Sequence, residues 1–276
     1  MLGRIAIHLD NDNACARRID AGILLAKEHG AEVIGIHPTE DFIDRYGNIL
    51  PQDIRNDLRK QHRQAREALR GQFEQKAREA GVEADYRAPQ GNAEESLALH
   101  ARYCDLLVMS KAQPDEQVSG LVPNLPEAVI MSAGRPVLMI PNAGAIESIG
   151  KRVLYCWDQR REAARAFADA APFLQSCKEL VVLEIDRDEE LLQSRDVRKE
   201  DFGNYCVRLG YPKPRHLVLD SKDIGVGHII LNVASDSASD LIVMGAYGHS
   251  RMRQWVMGGA SRTLLSSMTV PVLLTQ

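Results

Sequence analysis

Four glycines near the carboxyl end carry the clearest chemical signal in the chain. Gly245, Gly248, Gly258 and Gly259 follow the apolar run Leu241-Ile242-Val243-Met244 with the spacing Gly-x2-Gly-x9-Gly. The run suits a strand covered on both faces of a parallel sheet. Beyond the last glycine, Ala260-Ser261-Arg262-Thr263-Leu264-Leu265 continues as a helix. Glycine lets a bound group approach the backbone, and a helix start presents free N–H groups. A place of this kind favours an anion such as a phosphate. After Gly248 come His249, Ser250, Arg251 and Arg253, which suit either phosphate contact through forked donors or a solvated polar loop. Trp255 and Val256 suit packing.

Such a loop needs a neighbouring strand to bring a partner residue alongside. Residues 152–157 read as that strand, ending at Asp158. A helix follows with Ala163, Phe167, Ala170 and Leu174 on one face, and Pro172 kinks its last turn. Residues 180–185 and 216–219 read as the second and third strands, with a charged, helical stretch over 188–209 between them. A helix over 226–237 leads to the buried run, and a final strand starts at Val272.

The amino-terminal half follows the same plan. Residues 4–9 form a strand ending at Asp10, and Asn11-Asp12-Asn13 is turn and helix-cap material. A helix with Ile19, Gly22, Ile23 and Ala26 on one face runs to His29 and ends at Gly30. A strand over 32–37 precedes a long helix over 51–80, whose apolar stripe is Ile54, Leu58, Ala65, Leu69, Phe73 and Ala77. Its other face mixes basic and acidic residues, the pattern of a solvated surface. A strand over 83–87, a helix over 93–103 and a buried strand over 105–109 complete the half. Asp105 with Asp240, and Pro136-Val137-Leu138 with Pro271-Val272-Leu273, share one offset of 135 residues. Asp10 and Asp158 are offset by 148. The halves are therefore copies of one fold, divided over 142–150. Opposite the four glycines the first copy has Ser110, Gln113, Pro123 and Asn124, so it is not expected to bind a ligand through this loop.

Composition narrows the function classes. The 276 residues suffice for two domains of about 140 each. A net charge of −4 lacks the concentrated positive field that nucleic acid or an anionic membrane attracts. No apolar run approaches the roughly 18 residues needed to span a bilayer, and no leader-like pattern opens the chain, so a cytoplasmic protein is expected. The five cysteines, Cys15, Cys104, Cys156, Cys177 and Cys206, form no C-x-x-C pair, so neither a disulfide framework nor a zinc site is indicated.

The glycine spacing, set between a buried strand and a helix that leads to Val270-Pro271-Val272, resembles the ATP-binding signature of the universal stress protein family. The resemblance covers nearly the whole chain as a tandem pair. It implies a Rossmann-like α/β fold, an open parallel five-stranded sheet of order 3-2-1-4-5 in each half, with helices on both faces. The domains are then a degenerate one over 1–142 and an ATP-binding one over 150–276. In such sheets ligands lie at the carboxyl ends of the strands, beside the point where strand order reverses. The resemblance implies that Asp158 contacts ribose or adenine and that the backbone near Cys156 and Ile185 lines the base. Gly245, Gly248, Gly258 and Gly259 would hold ribose and phosphates, Met244 and Ala260 would add wall contacts, and Ser261 would offer a hydroxyl. The expected cofactor is ATP with Mg2+. Asp158 read alone suits a helix N-cap better, and its place where the strand order reverses brings the binding reading level with that. Two departures stand out: Gly259 where relatives carry Ser or Thr, and Gln159-Arg160 where many carry Gly-Ser.

No P-loop, His-Glu-x-x-His or Gly-x-Ser-x-Gly motif is present, so no robust catalysis is expected. The readings in play are a nucleotide-dependent stress regulator, an interaction scaffold without nucleotide, and a slow ATP hydrolase. Family dimers imply that the final strands of the halves pair within one chain, with a homo-dimer as a further possibility.

Overall fold

Unbroken apolar runs set the strands. A computed structural model describes residues 1–39, 51–111, 125–198, 200–222, 224–246 and 259–276. In the compact unit Leu2–Arg135 the strands are β1 (Arg4–His8), β2 (Glu32–Ile36), β3 (Ala84–Arg87) and β4 (Leu106–Ser110). They lie in the order β3-β2-β1-β4, and every pair is parallel. Ile5, Ala6 and Ile7 of β1 and Leu106 to Met109 of β4 are fully buried, as strands covered on both faces must be. The described helices of this unit are α1 (Cys15–His29), α2 (Gln52–Ala80), α3 (Ala93–Ala101) and α4 (Leu125–Ser132). Gly30 ends α1 at φ 69°, the left-handed geometry that glycine adopts without strain.

Two local expectations change here. The residue capping α1 is Ala14, with no side-chain cap bond, and Asp12 is engaged elsewhere. On α2 only Leu69, Phe73 and Ala77 are buried, and Ile54 is 44% exposed. The reason is length. A helix of 29 residues is about 43 Å long, whereas the four residues of β3 span about 13 Å. The first half of the stripe has no sheet beneath it.

Pro136–Gln276 forms the other unit. Its strands are β5 (Val137–Ile140), β6 (Arg152–Cys156), β7 (Glu179–Ile185), β8 (Arg215–Leu219), β9 (Leu241–Gly245) and β10 (Val272–Thr275). The order β8-β7-β6-β9-β10 is the doubly wound 3-2-1-4-5 arrangement, with parallel pairs throughout. Antiparallel β5 adds beyond β10, with Val272 opposite Met139 and Leu274 opposite Val137. The helix expected after β6 breaks at Ala170 into α5 (Arg161–Asp169) and the short α6 (Ala171–Leu174), with Pro172 in the first turn of α6. Ala163, Phe167, Ala170 and Leu174 are nevertheless all buried. The charged stretch resolves into α7 (Glu189–Ser194) and α8 (Asp201–Arg208). Phe202 of α8 stacks on Tyr155 and Trp157 of the sheet. α9 (Val226–Asp236) and α10 (Gly259–Ser267) complete the unit.

The aspartates that mark the repeat have a structural task. Asp105 Oδ2 accepts the backbone N–H groups of Gly3 at 2.7 Å and Arg4 at 3.0 Å. Asp240 accepts those of Gly150 at 3.1 Å, Lys151 at 3.1 Å and Arg152 at 2.8 Å, and the Ser148 hydroxyl as well. Each carboxylate thus ties the start of one strand to the strand entering beside it.

Candidate functional site

The order reversal in the carboxyl-terminal unit falls between β6 and β9. Tyr155 of β6 lies opposite Val182 of β7 on one side and Val243 of β9 on the other. The register therefore brings Cys156, Met244 and Gly245 to one edge of the sheet, with Ile185 two residues beyond the partner of Cys156. Cys156 is half-buried, Met244 buried and Ile185 half-buried. Burial, with Asp158 adding to it, pushes the Cys156 thiol up to about 12, so at neutral pH it is a protonated wall group and no nucleophile.

Beyond β6 the chain turns at Asp158-Gln159-Arg160. Asp158 Oδ1 accepts the Arg160 N–H at 3.1 Å, and the Arg160 guanidinium Nε stands 3.8 Å from Oδ2. The N-cap position of α5 belongs to Arg160, so Asp158 closes a turn and leaves 44% of its side chain exposed. Gln159 adopts φ 63°, which costs a non-glycine residue about 1–2 kcal/mol. Its amide Nε2 donates to Glu184 Oε2 at 3.1 Å, and Glu184, 4% exposed, receives Arg187 Nη1 at 3.0 Å on its other oxygen. The positive φ explains why a glycine suits this position, and the buried pair explains how a glutamine is held there instead.

Gly245 has a packing role. A Cβ built on it would stand 2.5 Å from the Glu162 carbonyl carbon and 2.7 Å from the Ala163 nitrogen, both backbone atoms in the first turn of α5. Only glycine lets α5 settle on β9 here. Gly259 opens α10, is exposed, and an added Cβ would meet no described atom within 4 Å. Ala260 and Ser261 follow in the first turn, next to the unpaired N–H groups of the helix start. Gly248, Gly258, His249, Ser250, Arg251, Arg253, Trp255 and Val256 lie outside the described residues, as do Gln113, Pro123 and Asn124 of the first copy.

The residue that the sequence reading missed is Arg18. It is fully buried in the amino-terminal unit, at the carboxyl ends of β1 and β4. Its Nε donates to the His8 carbonyl at 2.8 Å, its Nη1 to Asp12 Oδ2 at 2.8 Å and to the Ser110 hydroxyl, and its Nη2 to Asp10 Oδ1. Burial opposes its charge, but Asp10 and Asp12 outweigh that and raise its pKa. Burial, and then Arg18, holds the adjacent His8 well below the usual histidine range, so it is neutral. The repeat contained a signal for this: the offset of 148 sets Arg18 opposite Ala166, a buried core position.

Open parallel sheets wound on both faces, repeated in tandem, define a Rossmann-like α/β protein whose ligand crevice lies at the strand ends. The model of the universal stress protein family matches residues 1–141 and again residues 150–276. The chain belongs to the universal stress protein family. It is similar to a universal stress protein of known structure from Archaeoglobus fulgidus DSM 4304, with a TM-score of 0.77 at 18% identity over 99% of this chain and 96% of that one. It is also similar to the functionally unknown protein PA1789 from Pseudomonas aeruginosa PAO1, with a TM-score of 0.66 at 14% identity, covering 99% and 92% of the two chains. At these identities the likeness is one of fold. Over 51 residues it is 43% identical to the universal stress protein Slr1230 of Synechocystis, a match that takes in 17% of this chain and only 18% of that relative. Among the described residues no helix is long and apolar enough to cross a membrane.

Proposed function

We propose that the carboxyl-terminal domain binds ATP, with Mg2+, at the carboxyl ends of β6, β7 and β9, and that the chain acts as a nucleotide-dependent regulator in a stress response. The observation that carries this is the meeting, at the order reversal, of the exposed Asp158 carboxylate with Gly245 at the end of β9. The residues present fit the nucleotide. Asp158 offers a carboxylate to ribose hydroxyls or the base, and the backbone at Cys156 and Ile185 offers an edge for adenine. Met244 supplies apolar wall. Gly259, Ala260 and Ser261 offer the N–H groups of a helix start to phosphate, joined in the family pattern by Gly248 and Gly258. Mg2+ would enter as a counter-ion of the phosphates, since no three His, Cys, Asp or Glu side chains cluster as ligands among the described residues.

Trp157 precedes Asp158 by one residue, so its emission tests the reading. Trp255→Phe protein freed of co-purified ligand and titrated with ATP and Mg2+, with Trp157 then the one remaining tryptophan, is expected to give a saturable emission change, with one ATP retained per chain on gel filtration. No retention and no emission change would contradict it. Phosphate release is expected to stay near background. The degenerate amino-terminal domain, a cytoplasmic setting and absence of nucleic-acid binding belong to the same proposal. So does pairing of the two domains through their final strands. A homo-dimer is compatible with it.

A second reading, an interaction scaffold without nucleotide, is favoured by one observation. The glycine at 245 is fully explained by the approach of α5, without any ligand.

A further inference from the structure

The two copies treat the same place in opposite ways. In the carboxyl-terminal unit the α5 position that the repeat sets opposite Arg18 is Ala166, fully buried, and the end of β9 is Gly245, which lets the first turn of α5 settle against the sheet. In the amino-terminal unit the corresponding residues are Arg18 and Ser110. Arg18 reaches from α1 to the strand ends and presents its guanidinium to four acceptors: the His8 carbonyl, Asp10, Asp12 and the Ser110 hydroxyl. These acceptors come from β1, the turn that follows it and the last residue of β4, which are the elements that form the crevice edge in an order-reversing sheet. The side chain is 0% exposed, and Asp12 is 13% exposed in its own side chain.

We propose that Arg18 is a built-in ligand: its guanidinium occupies the amino-terminal crevice that a bound group would need, and holds this domain permanently closed. The reading concerns the amino-terminal domain alone and stands whether or not the other domain binds nucleotide. It also fixes what the crevice could accept once Arg18 is gone. Two carboxylates, a hydroxyl and a carbonyl are all acceptors, so the vacated site takes a small planar organic cation and repels a phosphate. The amino-terminal domain is thus closed to ATP by its own charge as well as by the lost glycines.

The test is chemical rescue in the full chain. Arg18→Ala is expected to lower the melting temperature of the protein by at least 5 °C and to remove hydrogen-exchange protection around residues 8–18 and 106–110 first. Ethylguanidinium at a concentration well below its denaturing range should restore at least half of the loss in Arg18→Ala and leave the wild type unmoved, whereas an equal concentration of urea or ammonium should not. Unchanged melting of Arg18→Ala, equal shifts of variant and wild type, or protection of residues 8–18 by ATP in the variant would each overturn the proposal. If Arg18→Ala does not accumulate as folded protein, Arg18→Lys decides. It keeps the charge and loses the fork, so melting below the wild type, with a native circular dichroism spectrum, supports the built-in ligand. Melting at the wild-type temperature refutes it.

Discussion

At the scale of single residues, burial decides which charged groups matter. Asp240 satisfies three backbone N–H groups that otherwise lose their partners at the entrance to β6. Asp240→Ala is therefore expected to cost about 2–4 kcal/mol of unfolding free energy in urea titrations, the cost of leaving such donors unsatisfied. A loss below about 0.5 kcal/mol would show that water replaces the carboxylate. His37 offers a pH test. Burial, and then the charge of Arg66, lowers it to about 4, and its Nδ1 lies 3.0 Å from the Tyr86 hydroxyl. It is neutral when folded, whereas the unfolded chain protonates it below about pH 6.5. The unfolded state then binds more protons, so this contribution is complete above pH 6.5 and is lost as pH falls toward 4. The loss reaches about 3 kcal/mol at the lower end. Chemical denaturation across that window should show the slope, and His37→Gln should make it shallower, with buried His8 contributing in the same direction; an unaltered slope would assign the acid sensitivity elsewhere.

At the scale of elements, the glycines divide by role. Gly245→Ala would put a Cβ against the backbone of α5, which cannot rotate away, and is expected to destabilise by about 1–3 kcal/mol. Gly259→Ala meets no described atom and is expected to cost nothing, since alanine is the better helix former. Paired denaturation curves compare them, and equal stability of both would remove the packing account of Gly245. Along α2, Phe73→Ala should cost about 3–5 kcal/mol and Ile54→Ala less than about 0.5, because only the second half of the helix lies on the sheet. These differences also show what the sequence could reveal. Strands such as Leu241 to Met244 were legible because doubly covered strands must be apolar throughout. The stripe of α2 specified a helix, but periodicity carries no information about how far the sheet extends beneath it. The repeat and the strand order were enough to bring Asp158 and Gly245 to one edge of the sheet. Arg18 looked like an ordinary helix charge, because its four partners come from sequence-distant β4, from the end of β1 and from the turn before the helix. The support of Gln159 by Glu184 was equally hidden, since it depends on how β7 lies beside β6.

At the scale of the whole molecule, one fold used twice has diverged in what fills its crevice: an arginine in the first copy, and by our proposal a nucleotide in the second. ATP at about 100 times its Kd should then stabilise the carboxyl-terminal domain by about 2.7 kcal/mol and leave hydrogen exchange around Arg18 unchanged. The most direct test of the central claim is calorimetric titration of ATP with Mg2+ into the intact protein and into Gly259→Glu, both freed of co-purified ligand. A carboxylate at the first position of α10 is favourable for the helix and unfavourable for a phosphate beside it, so the variant separates binding from folding. The account predicts one site per chain in the wild type and an affinity at least tenfold weaker in a variant that melts at the same temperature. No heat of binding in the wild type, or equal affinity in the two proteins, would contradict it.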